Sequence, residues 1–113
     1  MARYTGLFVI AVNIDNLRPL LIDLLNDCRL EITYDAGDYM MAREVPGEVP
    51  FTKLVNVEVA LDISDEERAR MNFVVKNEEL PLQKDNHCRQ MFELLREEIA
   101  QTRQWQLLEI AAS

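Results

Sequence analysis

The chain has 113 residues, of which 49% are hydrophobic and 28% are charged. This composition is that of one folded domain spanning residues 1–113, and it argues against disorder. Twenty acidic side chains outnumber twelve basic ones, and the acidic excess is spread over both halves of the chain. Because phosphate backbones and anionic lipids are bound by clustered Lys and Arg, we expect neither nucleic acid nor a membrane as a partner.

The cysteines and the first apolar run predict a cytoplasmic protein. Cys28 and Cys88 each lie within a helical pattern, which predicts reduced thiols in the core. A disulfide between them is the alternative if the two helices lie side by side. The apolar run 7–14 lacks the basic start and the cleavage site of a signal peptide. It is also too short to span a bilayer.

The first predicted elements are a strand and a helix. Residues 6–14 are rich in β-branched and aromatic residues without polar alternation, which favours a central strand. Asp15 or Asn16 can cap the helix that follows, and Pro19 is tolerated because it is expected in the first turn. The apolar residues of this helix recur at spacings that place them on one face. They are Leu17, Leu20, Leu21, Leu24 and Cys28.

Three strands are predicted next. Residues 30–34 and 39–45 flank Asp35-Ala36-Gly37-Asp38, whose residue types suit the tight turn of a β-hairpin. Residues 46–50 hold two prolines and a glycine, which exclude both helix and central strand. In residues 55–63, apolar and polar side chains alternate strictly. This alternation predicts a strand with one wet face, and therefore a sheet covered by helices on one side only.

The last third of the chain predicts a short helical turn, a strand, a helix and a final element. Ser64-Asp65-Glu66-Glu67 has the form of a capping box and predicts a turn of helix through Arg70. Residues 71–76 then favour a strand, and residues 85–101 carry an apolar stripe at helical spacing. Residues 104–112 fit either an edge strand or a continuation of that helix, and we favour the strand.

Together these elements predict an α+β fold. The sheet is antiparallel or mixed, has four to six strands, and carries two amphipathic helices on one face. The element order is compatible with a ferredoxin-like or a cystatin-like layout, and a split β-α-β crossover would favour the first. A layout of this kind carries no function by itself.

No catalytic, metal or cofactor site is predicted. His87, the only histidine, stands beside Cys88, but neighbours on a helix point about 100° apart and cannot act as a nucleophile and its base. We therefore interpret His87 as a solvated residue of the first helical turn. One histidine and two cysteines also argue against zinc, and three isolated glycines argue against a phosphate-binding loop. The acidic clusters around residues 35–38 and 62–67 lack the spacing of a calcium loop.

One group of side chains predicts a contact surface near the hairpin. Adjacent residues on a strand point to opposite faces, so one of two neighbouring methionines should face away from the helices. Methionine beside tyrosine makes an adaptable contact surface. The predicted surface consists of Tyr34, Tyr39, Met40, Met41, Asn56 and Glu58.

The sequence favours a non-enzymatic protein-interaction module or assembly factor that forms a homodimer. The support is the second face of a sheet that helices cover on one side, together with the lack of a catalytic pattern. The alternative is a small-molecule-binding protein or a small enzyme, with a site between the sheet and the helices. A flat, partly apolar sheet face would support the first hypothesis, and a large pocket lined by convergent polar groups would support the second.

Overall fold

The computed structural model describes residues 1–82 and 85–112. It has the predicted α+β fold, with a six-stranded antiparallel sheet in the order β2-β3-β4-β5-β1-β6 and two helices on one face. The elements in chain order are β1 (Ala2–Ala11), α1 (Ile14–Asp27), β2 (Leu30–Asp35), β3 (Tyr39–Glu44), a 3₁₀ turn (Phe51–Lys53), β4 (Asn56–Asp65), β5 (Arg68–Asn77), α2 (His87–Gln101) and β6 (Gln106–Ala112). The final segment is a strand, as the sequence favours.

The sheet combines a meander with two crossovers. Strands β2 to β5 follow one another across the sheet, and β1 then lies between β5 and β6. Because β5 and β6 both pair antiparallel with β1, they run parallel to each other and are connected through α2. This is a split β-α-β unit, so of the two predicted layouts the ferredoxin-like one is favoured.

The core lies between the sheet and the two helices. The alternation predicted for β4 is confirmed, since Val57 and Val59 are buried at 0% and 1% exposure while Asn56 is exposed. Val59 lies opposite Phe73 of β5, and Phe8 of β1 packs edge-on against that same ring at 5.6 Å between centroids. Tyr4 of β1 stacks on Phe92 of α2, which ties the sheet to the second helix.

Helix α1 begins earlier than predicted. Its N-cap is Asn13, whose side chain accepts a hydrogen bond from the Asp15 N–H at 3.1 Å. Pro19 is consequently inside the helix and past its first turn, so the prediction that it lies in the first turn is wrong. Proline lacks an N–H, and the carbonyl of Asp15 loses its helical partner. Strand β1 is also displaced, since it ends at Ala11 rather than at residue 14.

Helix α2 begins at His87, and buried side chains accept hydrogen bonds from its first backbone N–H groups. Asn86 is the N-cap and accepts from the Arg89 N–H at 2.9 Å. Glu79, which is 5% exposed, accepts from the backbone N–H groups of His87 and Cys88 at 3.1 and 2.9 Å. Asn77 at the end of β5 donates to the same carboxylate at 2.6 Å. The first turn of α2 is thereby anchored to the sheet.

The helical turn predicted for residues 64–70 is wrong. Strand β4 continues to Asp65, Glu66 and Glu67 form a tight turn, and β5 starts at Arg68. The side chain of Asp65 accepts from the Glu67 N–H at 2.8 Å, which is the local bond of an Asx turn. The same short acidic segment suits a helix cap or a hairpin turn. The pairing of β4 with β5 on its two sides favours the hairpin turn.

Candidate functional site: the open face of the sheet

The open face is the side of the sheet that the helices do not cover. Alternate residues of the strands point to it, and those near its centre form an apolar band of partly buried side chains. The band consists of Leu7 and Val9 from β1, Val74 from β5, Ala60 from β4 and Met41 from β3. The face is therefore partly apolar.

Five of the six predicted surface residues lie together on this face. Tyr39, Met41, Asn56 and Glu58 occupy its alternate positions on β3 and β4. Tyr34 joins them because the pairing of β2 with β3 shifts between Ile32 and Tyr34, and its ring lies 6.2 Å from that of Tyr39. The sequence pattern does not predict this shift, because an irregularity in strand pairing does not change the spacing of apolar residues in a recognisable way.

The prediction that Met40 belongs to the contact surface is wrong. It is fully buried on the helix side of the sheet, at 0% exposure, so it contributes to the core. Of the two neighbouring methionines, Met41 is the one that faces away from the helices, as the alternation of a strand requires.

Glu58 connects three strands of the open face. Its carboxylate accepts from the Tyr39 hydroxyl at 2.5 Å and lies 3.1 Å from the Lys76 ammonium. These two contacts, the Tyr39 hydrogen bond foremost, hold the pKa of Glu58 below its usual value, and the same bond raises the pKa of Tyr39. The carboxylate therefore stays ionised well below neutral pH.

The charges of the open face are balanced and sorted by strand. The acidic side chains Glu58, Asp62 and Asp65 come from β4, and the basic side chains Arg68, Arg70 and Lys76 come from β5. The remaining charged residues of the face are Arg3, Glu31, Arg43 and Glu109. Arg68 and Arg70 are not among the predicted surface residues, because the sequence pattern of residues 64–70 indicates a helical turn.

This balance sets the open face apart from the rest of the molecule. Among the described residues it carries five basic and five acidic side chains, so its net charge is zero. Six basic and fifteen acidic side chains of the described residues lie elsewhere, with a net charge of −9. Outside the open face the protein is strongly acidic.

A second feature lies at one end of the helical layer, where His87 meets a buried carboxylate. Its Nε2 lies 2.8 and 2.9 Å from the two oxygens of Glu44, which is 2% exposed and also accepts from the Val55 N–H. The prediction of a solvated histidine is therefore wrong. The sequence could not show this pairing, because Glu44 ends a strand 43 residues earlier.

The Glu44–His87 pair borders a cavity of about 230 Å³ between the two helices. Cys28, Met91 and Leu94 form part of its wall. At its edge, Arg29 has a φ of 63° at the residue after the α1 C-cap, and its side chain lies 3.5 Å from Glu48. A left-handed conformation is usual after a helix C-cap, where glycine is the common residue.

Neither cysteine is an activated nucleophile. Cys28 and Cys88 are free, buried thiols, and burial raises their pKa values to about 11 and about 12. The Cys88 sulfur donates to the Val75 carbonyl at 3.4 Å, whereas His87 is directed at Glu44. Within residues 1–82 and 85–112, no three His, Cys, Asp or Glu side chains are grouped to hold a metal ion. No helix of this part of the chain is long and apolar enough to cross a membrane.

Comparisons with known proteins assign no family to the chain. No protein-family profile and no curated protein matches it. Among solved structures, the fold is similar to the crystal structure of a conserved protein from Geobacillus kaustophilus, at 12% identity and a TM-score of 0.38. The similarity covers 92% of this chain and 99% of the other. At this level it carries no functional argument.

Proposed function

We propose that this protein is a non-enzymatic interaction module or assembly factor that forms a homodimer through the open face of its sheet. The observation that carries the proposal is the zero net charge of a partly apolar sheet face on a chain of net charge −8. Two buried free thiols and the lack of a basic cluster support a cytoplasmic partner protein rather than nucleic acid or a membrane.

The charge distribution favours this face over every other surface for contact between two copies. Two acidic helical layers would repel each other, and like charges that meet across an interface cost several kcal/mol. Two neutral faces with interspersed charges meet without this repulsion. The apolar band then gains from being removed from water. Most charged side chains of β4 and β5 lie toward the ends of these strands and therefore nearer the polar rim that is usual in protein interfaces.

Sedimentation equilibrium of the wild-type protein and two arginine variants tests the proposal. Val74→Arg places a charge in the apolar band, whereas Ile63→Arg places the same charge at an exposed position on β4 whose strand partner, Ala69, faces the helices. We expect dimers at micromolar concentration for the wild type and for Ile63→Arg, and monomers for Val74→Arg. A wild type that stays monomeric at tens of micromolar would overturn the proposal.

A second candidate function is the binding of a small molecule in the cavity beside His87. The observation in its favour is that Glu44 fixes Nε2 of the ring, while Nδ1 has no hydrogen-bond partner among the described residues. A neutral imidazole oriented by a carboxylate in this way can accept a hydrogen bond at its other nitrogen. The cavity of about 230 Å³ is below the usual range of about 300–1,000 Å³ for ligand pockets, so only a compact ligand fits.

Titration with benzylamine, followed by NMR of the single histidine, tests this second candidate. Benzylamine combines a hydrogen-bond donor with a short apolar ring, and its positive charge suits the carboxylates around the cavity. We expect saturable shifts of the His87 ring and Met91 methyl resonances, and their loss in Leu94→Trp, which fills the cavity. Shifts that do not saturate, or that persist in Leu94→Trp, would exclude specific binding there.

A further inference from the structure

We infer that two copies of this chain pack face to face around a twofold axis that runs parallel to the strands and passes between β4 and β5. In this arrangement, which rests on the proposed dimer, β4 of each copy lies over β5 of the partner subunit, and β3 lies over the partner's β1. This arrangement defines which residues form the interface and which of them meet across it. Three independent properties of the open face lead to it.

The first property is the separation of charge between the two central strands. On the open face, β4 presents the acidic side chains of Glu58, Asp62 and Asp65, and the neighbouring strand β5 presents the basic side chains Arg68, Arg70 and Lys76. A twofold axis between β4 and β5 places each acidic strand over a basic strand. An axis at right angles to the strands would instead place β4 over β4 and β5 over β5, with acid against acid and base against base.

The second property is that four of these charged side chains form no ion pair among the described residues. Asp62 lies opposite Arg70, and Asp65 lies opposite Arg68, in the register of β4 and β5, and all four side chains are exposed. Within the described part of a single subunit, no ion pair joins either couple. The axis brings Asp62 over the partner subunit's Arg70 and Asp65 over the partner subunit's Arg68. Each contact occurs twice in the dimer because the interface is isologous.

The third property is shape. A shallow depression of about 330 Å³ lies on the β1, β5 and β6 side of the open face, where Leu7, Asn72, Val74 and Ala111 form part of its wall. On the other side of the axis, Tyr39 and Met41 of β3 present larger side chains. Because β3 lies over the partner's β1, these two side chains meet the depression of the other copy.

The dimensions of the sheet suit this arrangement. Six strands about 4.8 Å apart and up to ten residues long form a face of roughly 24 by 33 Å, on the order of 600–800 Å². A standard interface buries about 800 Å² on each partner. Sheets that pack face to face keep their strands within about 30° of each other, which an axis along the strands allows.

Charge reversal on separate copies tests the inference. The variants are Asp62→Arg and Arg70→Asp, each made in an otherwise unchanged full chain. In a homodimer of either variant, two like-charged contacts replace two attractive ones, so we expect the dissociation constant to rise at least about tenfold. In a heterodimer of the two variants, Arg at position 62 of one copy meets Asp at position 70 of the other, and the native Arg70 of the first meets the native Asp62 of the second. Both contacts are restored, so a 1:1 mixture should dimerise within about threefold of the wild type.

The rescue separates contacts between subunits from contacts within one. Each variant subunit keeps the same internal charge clash whether it is alone or mixed, so only a contact across the interface can produce recovery. Native mass spectrometry identifies the heterodimer by its mass, and far-UV circular dichroism confirms that each variant is folded. A wild type that dimerises while the mixture shows no preference for the heterodimer would overturn this arrangement and leave the proposed function intact. A monomeric wild type would overturn both.

Discussion

Glu79 shows how one buried carboxylate can anchor a helix. Its burial alone would raise its pKa, but the hydrogen bonds that it accepts from Asn77 and from the backbone of Cys88 and His87 outweigh burial and lower the pKa. Negative charge at the N-terminus of a helix is also favourable for the helix dipole. The ionised form of Glu79 is therefore the one that holds α2 on the sheet.

The stability of the fold should therefore depend on pH through the ionisation of Glu79. A carboxyl group whose pKa is lowered on folding contributes stability above its unfolded pKa of about 4.3 and loses it as the pH falls through the lower folded value. We expect Glu79→Gln to be less stable than the wild type at pH 7, with the difference shrinking toward pH 3. Urea denaturation at several pH values measures it. An equal difference at every pH would show that Glu79 acts without its charge.

Substitution of His87 should lower the stability of the fold, which the sequence pattern does not predict. Removing one partner of a buried hydrogen bond leaves the other partner unsatisfied, at a typical cost of about 1–3 kcal/mol. We expect His87→Ala to destabilise the fold by about 1–3 kcal/mol, because Glu44 would keep only its hydrogen bond from Val55. The double variant His87→Ala, Glu44→Gln should recover part of this loss. Chemical denaturation of the three proteins decides the point, and an unchanged stability of His87→Ala would show that water replaces the ring without cost.

Periodic patterns of apolar residues predict single strands and helices, but they do not predict contacts between residues that are distant in the sequence. The alternation along β4 predicts both its faces, because a period of two has one structural meaning. The segment around Glu66 was misinterpreted because a helix cap and an Asx turn use the same residues. Alternation along β4 predicts the outward position of Asn56 and Glu58, whereas Tyr34 reaches the open face through a shift of strand pairing. The pairing of Glu44 with His87 depends on the tertiary fold alone.

The two faces of β4 should respond differently to substitution. Val59 is 1% exposed in the core, so Val59→Ala should cost about 1–3 kcal/mol through lost burial and a cavity. Glu58→Gln keeps the shape of a partly exposed side chain, and its loss should stay below about 1 kcal/mol in the monomer. Denaturation at a concentration well below the dimer range makes the comparison. Equal losses would mean that the open face is buried within one subunit.

For the whole molecule, the two thiols report on global opening. Cys28 lies at the end of α1 and Cys88 at the start of α2, and both are buried with raised pKa values. Because the thiolate is the reactive form, we expect both cysteines to react with iodoacetamide at pH 8 many times more slowly than in urea. Mass spectrometry of the labelled protein counts the modified sites. Rapid labelling of Cys28 alone would show that the end of α1 opens separately from the core.

The position of β1 has a consequence for how the chain reaches its fold. This strand comes first in the sequence, yet its two neighbours, β5 and β6, are completed only at residues 77 and 112. The meander from β2 to β5 has local partners and can form early. Strand β1 must instead close loops of at least half of the chain to pair with β5, and of nearly the whole chain to pair with β6, which slows folding. Until β6 arrives, one edge of β1 exposes the apolar run Phe8-Val9-Ile10, and such unpaired edges invite association with other chains. A chain ending at residue 105 should therefore aggregate during refolding at concentrations where the intact chain stays clear in light scattering.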